Sequence, residues 1–182
     1  PPIKEINMMT TEIAKRFHAR FLTRKFDNFA SQKNAAIEAA SGDWILLLDA
    51  DERLSPELAA SVRTAVKNPG APDAYLVRRR NFLFGGEMRY GTNLEDWQLR
   101  LIRRGKGKFE GLIHERVKCE GKTGKLKGEL LHYSSESIDR YFEKLPLFSS
   151  LEAETLWKSG VRPGLVHYLV KPPAKFVYFY FI

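Results

Sequence analysis

The pattern of apolar and polar positions in the first third of the chain predicts a helix, a buried strand and a second helix. Apolar residues recur at helical spacing from Phe29 to Ala40, after Asp27, whose side chain can cap the first turn. Residues 44–48 form a continuous apolar run, typical of a strand covered on both faces, as in a parallel sheet between helices. Ser55-Pro56-Glu57 has the residues of a helix start, and that helix should run to about Lys67. This order predicts an α/β fold.

The rest of the chain is first rich in strands and then helical. A turn-forming segment at residues 68–72 precedes the predicted strands, and Pro146 should kink or interrupt the helix predicted for residues 135–159. We also predict a short helix at 11–17, a strand or loop at 20–26, and strands at 75–84, 87–90 and 97–103. We therefore divide the chain into a domain at residues 1–134 and a helical segment with a basic and aromatic tail at residues 135–182.

Composition narrows the class of protein. With 182 residues, 43% apolar and 29% charged, the chain has the composition of a globular domain with one core. The net charge of +8 suits an anionic partner, which can be nucleic acid, an acidic membrane surface or a phosphate-bearing substrate. Cys119 is the single cysteine, so a disulfide framework or thiolate zinc site is excluded and a cytoplasmic location is expected.

Both ends of the sequence suggest a segment of a longer protein. The chain begins at Pro1 without an initiator Met, and it stops within the aromatic run at residues 176–182. We find neither a signal-peptide pattern nor a stretch of roughly 18 apolar residues, the length needed for a membrane span. We expect a fragment.

The strongest chemical signal is a pair of carboxylates, Asp49 and Asp51, directly after the buried apolar run. In open α/β sheets, ligands bind at the carboxyl ends of strands, so these acids should face a crevice. Carboxylate oxygens suit Mg²⁺ or Mn²⁺, which fills its other positions with water and phosphate oxygens. The alternative is that both acids are solvated turn residues before the helix at Ser55; the buried strand and the helix around them favour the metal site.

Several motifs resemble those of one enzyme family. They are residues 29–36 (FASQKNAA), 41–46 (SGDWIL), 49–55 (DADERLS), 97–101 (WQLRL), 113–117 (IHERV) and 130–133 (LLHY). Together they resemble family 2 glycosyltransferases, especially the bacterial lipopolysaccharide-core and cell-envelope group. The resemblance implies the GT-A fold, a Rossmann-like open mixed sheet flanked by helices, here partial and followed by the C-terminal extension.

The resemblance also implies a reaction. A nucleotide-diphospho-sugar would donate its sugar, with inversion in a single displacement, to a saccharide or lipid-linked acceptor in cell-envelope biosynthesis. Asp49 and Asp51 would hold Mg²⁺ or Mn²⁺, with His114 as a third ligand and His132 as its competitor for that position. A hexosyl- or heptosyltransferase is expected.

An inverting displacement needs a general base, and the resemblance assigns that role to Asp96, with Glu95 beside it. Without the resemblance, Asp96 would be interpreted as a surface acid flanking a strand. The residues expected to bind substrate are Gln32, Lys33, Asn34, Arg100 and Glu115, of which Lys33 and Arg100 suit phosphate.

The sequence departs from the family pattern at its start. Family members begin with a strand and a Gly/Ser/Asp-rich stretch that binds the nucleoside, and this chain starts after it. Asn7, Met8 and Met9 stand where polar acids are expected. Either the segment is defective in donor binding or its first nine residues do not belong to the native domain.

Two basic turns and the tail suit an anionic surface. Residues 103–108 and the lysines at 122, 125 and 127 can meet acceptor phosphates or anionic lipid headgroups, although plain solvated turns fit equally well. Residues 171–182 resemble an interfacial anchor, with packing on the missing part of the domain as the alternative. We expect peripheral attachment to the inner face of the cytoplasmic membrane.

Two other functions compete with sugar transfer. A metal-dependent nucleotidyltransferase acting on a phosphorylated substrate would also place paired acids at a strand end, but it leaves the Gln32 and Asn34 helix unexplained. A nucleic-acid-binding module would need basic and aromatic residues interleaved on one face, whereas acids lie at the ligand end of the predicted sheet. We expect no nucleic-acid partner.

Overall fold

The computed structural model describes residues 8–90, 95–111, 116–135 and 137–181 of the chain. Its strands are β1 (Trp44–Leu46), β2 (Glu52–Leu54), β3 (Ala74–Leu83), β4 (Gly86–Glu87), β5 (Asp96–Arg103), β6 (Gly107–Glu110), β7 (Arg116–Cys119) and β8 (Thr123–Ser135). Its helices are α1 (Met8–Arg16), α2 (Phe29–Ala39), α3 (Pro56–Lys67), α4 (Ile138–Lys158) and α5 (Lys171–Phe181), with a π-helical turn at Val166–Val170.

The main sheet is open and mixed, as predicted. Its strand order is β1-β5-β3-β8-β2, and the short β4 pairs with β3 outside this order. The β3–β8 pair is parallel, and the other pairs of this sheet are antiparallel. A separate two-stranded sheet joins β6 to β7. This curled mixed sheet with flanking helices agrees with the GT-A fold.

The strand before the acidic loop differs in part from the prediction. It covers Trp44–Leu46 rather than residues 44–48, and its described neighbour, β5, is antiparallel. Ile45 packs in one core cluster while Trp44 and Leu46 pack against the other, which confirms that both faces are covered. A continuous apolar run therefore indicates a strand that is buried on both faces, but it does not indicate whether the strand pairs in parallel or antiparallel.

Local chemistry explains where the first two long helices begin. Asn28, and not the predicted Asp27, caps α2, because the Asn28 side chain accepts a hydrogen bond from the Ser31 amide. Asp27 instead accepts from the amide of Asn28. Ser55 caps α3 as predicted by accepting from the Leu58 amide.

Other helices and strands also differ from their predicted extent. The strand predicted at 87–90 is the two-residue β4, and α4 continues through Pro146 without interruption. Residues 20–26, predicted as a strand or a loop, form a loop. Residues 52–54, for which no strand was predicted, form β2. Its pairing with β8 brings together residues about 80 positions apart, which no local pattern indicates.

Two core clusters hold the layers together. One joins α3 to the main sheet and the other joins α2 and β6 to its opposite face. Tyr75 and Val77 of β3 lie in the first cluster, and side chains two residues apart on a strand share a face. Arg79 and Asn81 therefore continue the same face, which turns from apolar to polar further along β3.

The C-terminal helices expose much of their apolar surface. Large exposed side chains on the π-helical turn and α5 include Tyr168, Leu169, Phe176, Tyr178 and Phe181. None of the described helices is both long enough and apolar enough to cross a bilayer. The division at residue 134 stays a prediction.

Candidate active site

The loop between β1 and β2 presents the predicted acidic pair. The Asp49 carboxylate lies 3.1 Å from Nζ of Lys33 and 3.2 Å from Nη2 of Arg100. Burial raises the pKa of Asp49, but the charges of Lys33 and Arg100 outweigh burial and leave the pKa below its ordinary value. Asp49 is therefore ionised at neutral pH and lies among cations that suit phosphate.

Glu52, at the start of β2, is the most buried acid of the site. Its side chain is 0% exposed and accepts hydrogen bonds from Arg100 and from the Asp49 amide, the latter at 2.9 Å. Arg79 Nη1 lies 3.8 Å away. Burial raises the pKa of Glu52 despite these partners. The sequence analysis gave Glu52 no role, and so it missed this residue as the buried link between the acidic loop and the sheet.

Arg100 joins the loop to β5. Its side chain is 7% exposed, and Nη2 contacts both Asp49 and Glu52. Its Nε has no hydrogen-bond partner among the residues that the structure describes. A buried donor of this kind is costly to leave unsatisfied, so the guanidinium retains capacity for a ligand or water oxygen.

Asp96, the predicted base, begins β5 and is held by three neighbours. It accepts from Arg79 Nε at 2.7 Å, from Asn81 Nδ2 at 3.3 Å and from Gln98. Burial raises the pKa of Asp96, but the hydrogen bonds from Gln98 and Arg79 outweigh it and lower the pKa overall. Asp96 is therefore ionised at neutral pH, as a general base must be. Glu95 is exposed beside it.

His132 of β8 lies next to Asp51. Its Nε2 is 3.5 Å from Asp51 Oδ2, and its Nδ1 is 2.7 Å from Asn81 Oδ1. Burial and the charge of Arg79 lower the pKa of His132, against the effect of Asp51. His114 and Glu115, the other predicted residues of this region, lie outside the described residues. The structure thus places His132, one of the two histidines considered as metal ligands, beside the acidic loop.

Strand pairing explains why these side chains meet. Asn81 and Glu52 both stand opposite His132 on the two strands that flank it, and Arg79 stands opposite Asp96. One network of contacts therefore includes five predicted residues, which are Lys33, Asp49, Asp51, Asp96 and Arg100. Five further residues complete it, namely Glu52, Arg79, Asn81, Gln98 and His132. Arg79, Asn81 and Glu52 were missed, because their positions are informative only once the strand register is known.

The helix α2 supplies three of the predicted binding residues, in different settings. Asn34 is engaged on both sides of its amide: Nδ2 donates to the Phe109 carbonyl at 3.0 Å and Oδ1 accepts from the Phe109 amide at 2.8 Å. Lys33 lies over the Phe109 ring, 5.0 Å from its centroid, while facing Asp49. Gln32 is exposed. Asn34 therefore fixes α2 on β6, which positions Lys33.

The donor set suits a divalent cation completed by substrate. Asp49 and Asp51 offer the hard oxygen ligands that suit Mg²⁺ and Mn²⁺, and a neutral imidazole is a common nitrogen ligand of metals in proteins. Within the described ranges, no three Asp, Glu, His or Cys side chains come together as a complete metal site. One or two carboxylates, with phosphate oxygens and water, are the usual ligands of Mg²⁺ at phosphate sites. The residues fit such a shared site.

Comparison with known proteins agrees with this geometry. Residues 9–124 match the model of a family described as glycosyl transferase family 2. The lipopolysaccharide core biosynthesis glycosyltransferase LpsC of Rhizobium meliloti is 33% identical over 169 residues, which cover 89% of this chain and 61% of that protein. An uncharacterised glycosyltransferase of Rickettsia typhi is 28% identical over 163 residues, or 83% of this chain and 56% of the relative. The chain thus spans little more than half the length of these relatives.

Proposed function

This chain belongs to glycosyl transferase family 2, and from that premise we propose that it forms the acceptor-side part of an inverting glycosyltransferase. The donor is a nucleotide-diphospho-sugar, and the acceptor is a saccharide or lipid-linked glycan of lipopolysaccharide core or related envelope synthesis. The similarity to LpsC supports this acceptor class. The main structural support is one connected network that joins the Asp49 loop to Asp96 through Arg79, Glu52 and Arg100.

The donor's diphosphate binds at the acidic loop. Asp49 and Asp51 hold Mg²⁺ or Mn²⁺, with His132, or His114, as a further ligand. A divalent cation at this position offsets the negative charge that develops on the leaving diphosphate. Lys33 and Arg100, both within 3.2 Å of Asp49, provide the protein's own positive charge next to the phosphates. Gln32 and Glu115 complete the substrate contacts.

Asp96 takes the proton of the acceptor hydroxyl as its oxygen attacks the anomeric carbon. The bond from that carbon to the diphosphate oxygen breaks as the new glycosidic bond forms, and the proton ends on Asp96. An ionised carboxylate has about four lone-pair positions, and three described donors leave one for the hydroxyl. Arg79 and Gln98 fix the carboxylate's orientation.

The C-terminal segment brings the enzyme to its acceptor. Lys171 and Lys175 are exposed on the same helix as Phe176 and Phe181, and this combination suits the interface of an anionic membrane. We place the protein in the cytoplasm, on the inner face of the membrane.

The experiment uses the full-length gene product with a panel of nucleotide-sugars and lipopolysaccharide-core acceptors, with and without Mn²⁺. Metal-dependent release of nucleoside diphosphate together with a glycoside of inverted configuration is expected. Asp96→Asn should reduce kcat by about 10²- to 10⁴-fold, the usual contribution of a general base. Glu38→Gln, an exposed substitution on α2, is the matched control.

Two results would overturn the proposal. One is a normal rate of sugar transfer by the Asp49→Asn, Asp51→Asn double variant. The other is transfer of the nucleotide itself to a phosphorylated substrate, which would identify the protein as a nucleotidyltransferase.

A further inference from the structure

We propose that Asn81 is a positioning residue that holds His132 as its Nδ1–H tautomer, so that the Nε2 lone pair faces the cation site beside Asp51. The inference rests on the proposed function. Asp96, Asn81 and His132 then form a chain of hydrogen bonds that connects the acceptor side to the cation site.

The direction of each hydrogen bond follows from Asp96. An ionised carboxylate only accepts, so the Asn81 amide must turn its NH₂ group toward Asp96, where Nδ2 lies 3.3 Å from Oδ2. The Asn81 carbonyl oxygen then faces His132, at 2.7 Å from Nδ1. Because this oxygen also only accepts, Nδ1 must be the nitrogen that donates. The hydrogen of a neutral His132 is therefore on Nδ1.

The opposite side of the ring faces a second acceptor. With its hydrogen on Nδ1, the His132 ring directs the lone pair of Nε2 toward the carboxylate of Asp51, whose Oδ2 is 3.5 Å away. Two acceptors at this separation repel each other unless a proton or a cation interacts with both. The Asp51 side chain is 46% exposed, so a cation can reach this pair from solvent.

The arrangement resembles the usual support of a metal-binding histidine. Such a residue donates its second ring N–H to a fixed oxygen acceptor, which sets the tautomer and the ring orientation. Asn81 provides that oxygen from β3, directly opposite His132 in the strand register. The two sides of β8 therefore have separate roles. On one side, Asn81 of β3 orients the ring, and on the other, the loop before β2 supplies the Asp51 carboxylate.

The first measurement is the tautomer itself. Long-range ¹H–¹⁵N spectra of the full-length protein, labelled at histidine nitrogens, distinguish a protonated from an unprotonated ring nitrogen. This segment has four histidines, and the spectrum of His132→Gln identifies the His132 signals by their loss. We expect Nδ1–H with an unprotonated Nε2 in the wild type and loss of that preference in Asn81→Leu. An Nε2–H tautomer in the wild type overturns the proposal.

The second measurement is the affinity for Mn²⁺ alone, by electron paramagnetic resonance, without nucleotide or acceptor. Asn81→Leu should weaken Mn²⁺ binding by about 10- to 100-fold, the usual effect of removing an outer-shell partner. Asn81→Asp keeps an oxygen that accepts from Nδ1–H but places a second carboxylate beside Asp96, so its affinity for Mn²⁺ should lie between those of wild type and Asn81→Leu. His132→Gln should lose at least as much affinity as Asn81→Leu, and His167→Gln, on the exposed π-helical turn, should lose none.

The variants separate this inference from the proposed function. If Asp51→Asn weakens Mn²⁺ binding while His132→Gln and Asn81→Leu bind normally, the inference is wrong and the proposed cation site stands. If Asp49→Asn and Asp51→Asn also bind normally, the proposed cation site is wrong as well. Equal losses in Asn81→Leu and Asn81→Asp would contradict the role given to the accepting oxygen.

Discussion

The guanidinium of Arg100 donates to the carboxylate of Glu52, which lies 48 positions earlier in the chain. Their strands, β5 and β2, are separated by β3 and β8 in the sheet. Both side chains are nearly inaccessible, at 7% and 0% exposure. This buried pair fixes the acidic loop to the far strand, so the position of Asp49 depends on a contact made well outside its own segment.

Substitution of Glu52 should destabilise the fold. Glu52→Ala leaves Arg100 without its buried partner, and breaking such a pair costs about 3 kcal/mol or more. Glu52→Gln keeps an acceptor for the Asp49 amide and should cost less. Urea denaturation gives the free energies of unfolding, and Glu38→Gln should stay within about 0.5 kcal/mol of wild type. Equal stability of Glu52→Ala and Glu38→Gln would show that the pair contributes nothing.

The same pair illustrates what the sequence could and could not predict. Features encoded locally were confirmed, among them α2, α3 with its Ser55 cap, and the placement of the acids in the loop that follows β1. The strand β2 and the role of Glu52 depend on pairing with β8, which is encoded by residues far away in the chain. For the same reason, the sequence could only name His132 as a candidate, and the strand register is what places it beside Asp51.

Stability should depend on the ionisation of Asp96 in acid. Hydrogen bonds from Gln98 and Arg79 outweigh burial and lower the pKa of Asp96 in the folded protein. The unfolded chain therefore binds this proton at higher pH, and the stabilisation by Asp96 is present above the unfolded pKa, near 3.8, and is lost as pH falls through the folded pKa. The difference in unfolding free energy between wild type and Asp96→Asn should be constant from pH 7 to about pH 5 and shrink below it. A difference independent of pH down to pH 3 would contradict the ion pair with Arg79.

Asn34 and Gln32, two residues apart on α2, should respond differently to substitution. Asn34→Ala leaves the Phe109 amide and carbonyl without their partners, which should cost about 1–3 kcal/mol. Gln32→Ala removes an exposed side chain and should leave the free energy of unfolding unchanged within about 0.5 kcal/mol. If Gln32 contacts the donor, its loss raises KM for the nucleotide-sugar instead. Thermal unfolding and steady-state kinetics on the same two variants distinguish the anchoring residue from the binding residue.

Substitution of Lys33 should change the affinity for the cation and the affinity for the diphosphate in opposite directions. Its Nζ, 3.1 Å from Asp49 Oδ1, competes with a metal ion for that oxygen, so Lys33→Gln should bind free Mn²⁺ about two- to fivefold more tightly, as expected for a partly exposed ion pair. In saturating Mn²⁺, the same variant lacks a cation beside the phosphates and should bind nucleoside diphosphate about tenfold more weakly. Lys67→Gln, at the exposed end of α3, is the matched control and should change neither affinity. Calorimetric titrations with Mn²⁺ alone and then with nucleoside diphosphate measure both effects. If both affinities fall together, Lys33 acts by supporting the structure of the loop. Affinity changes of opposite sign are expected only if Lys33 pairs with Asp49 in the free protein and with phosphate in the complex.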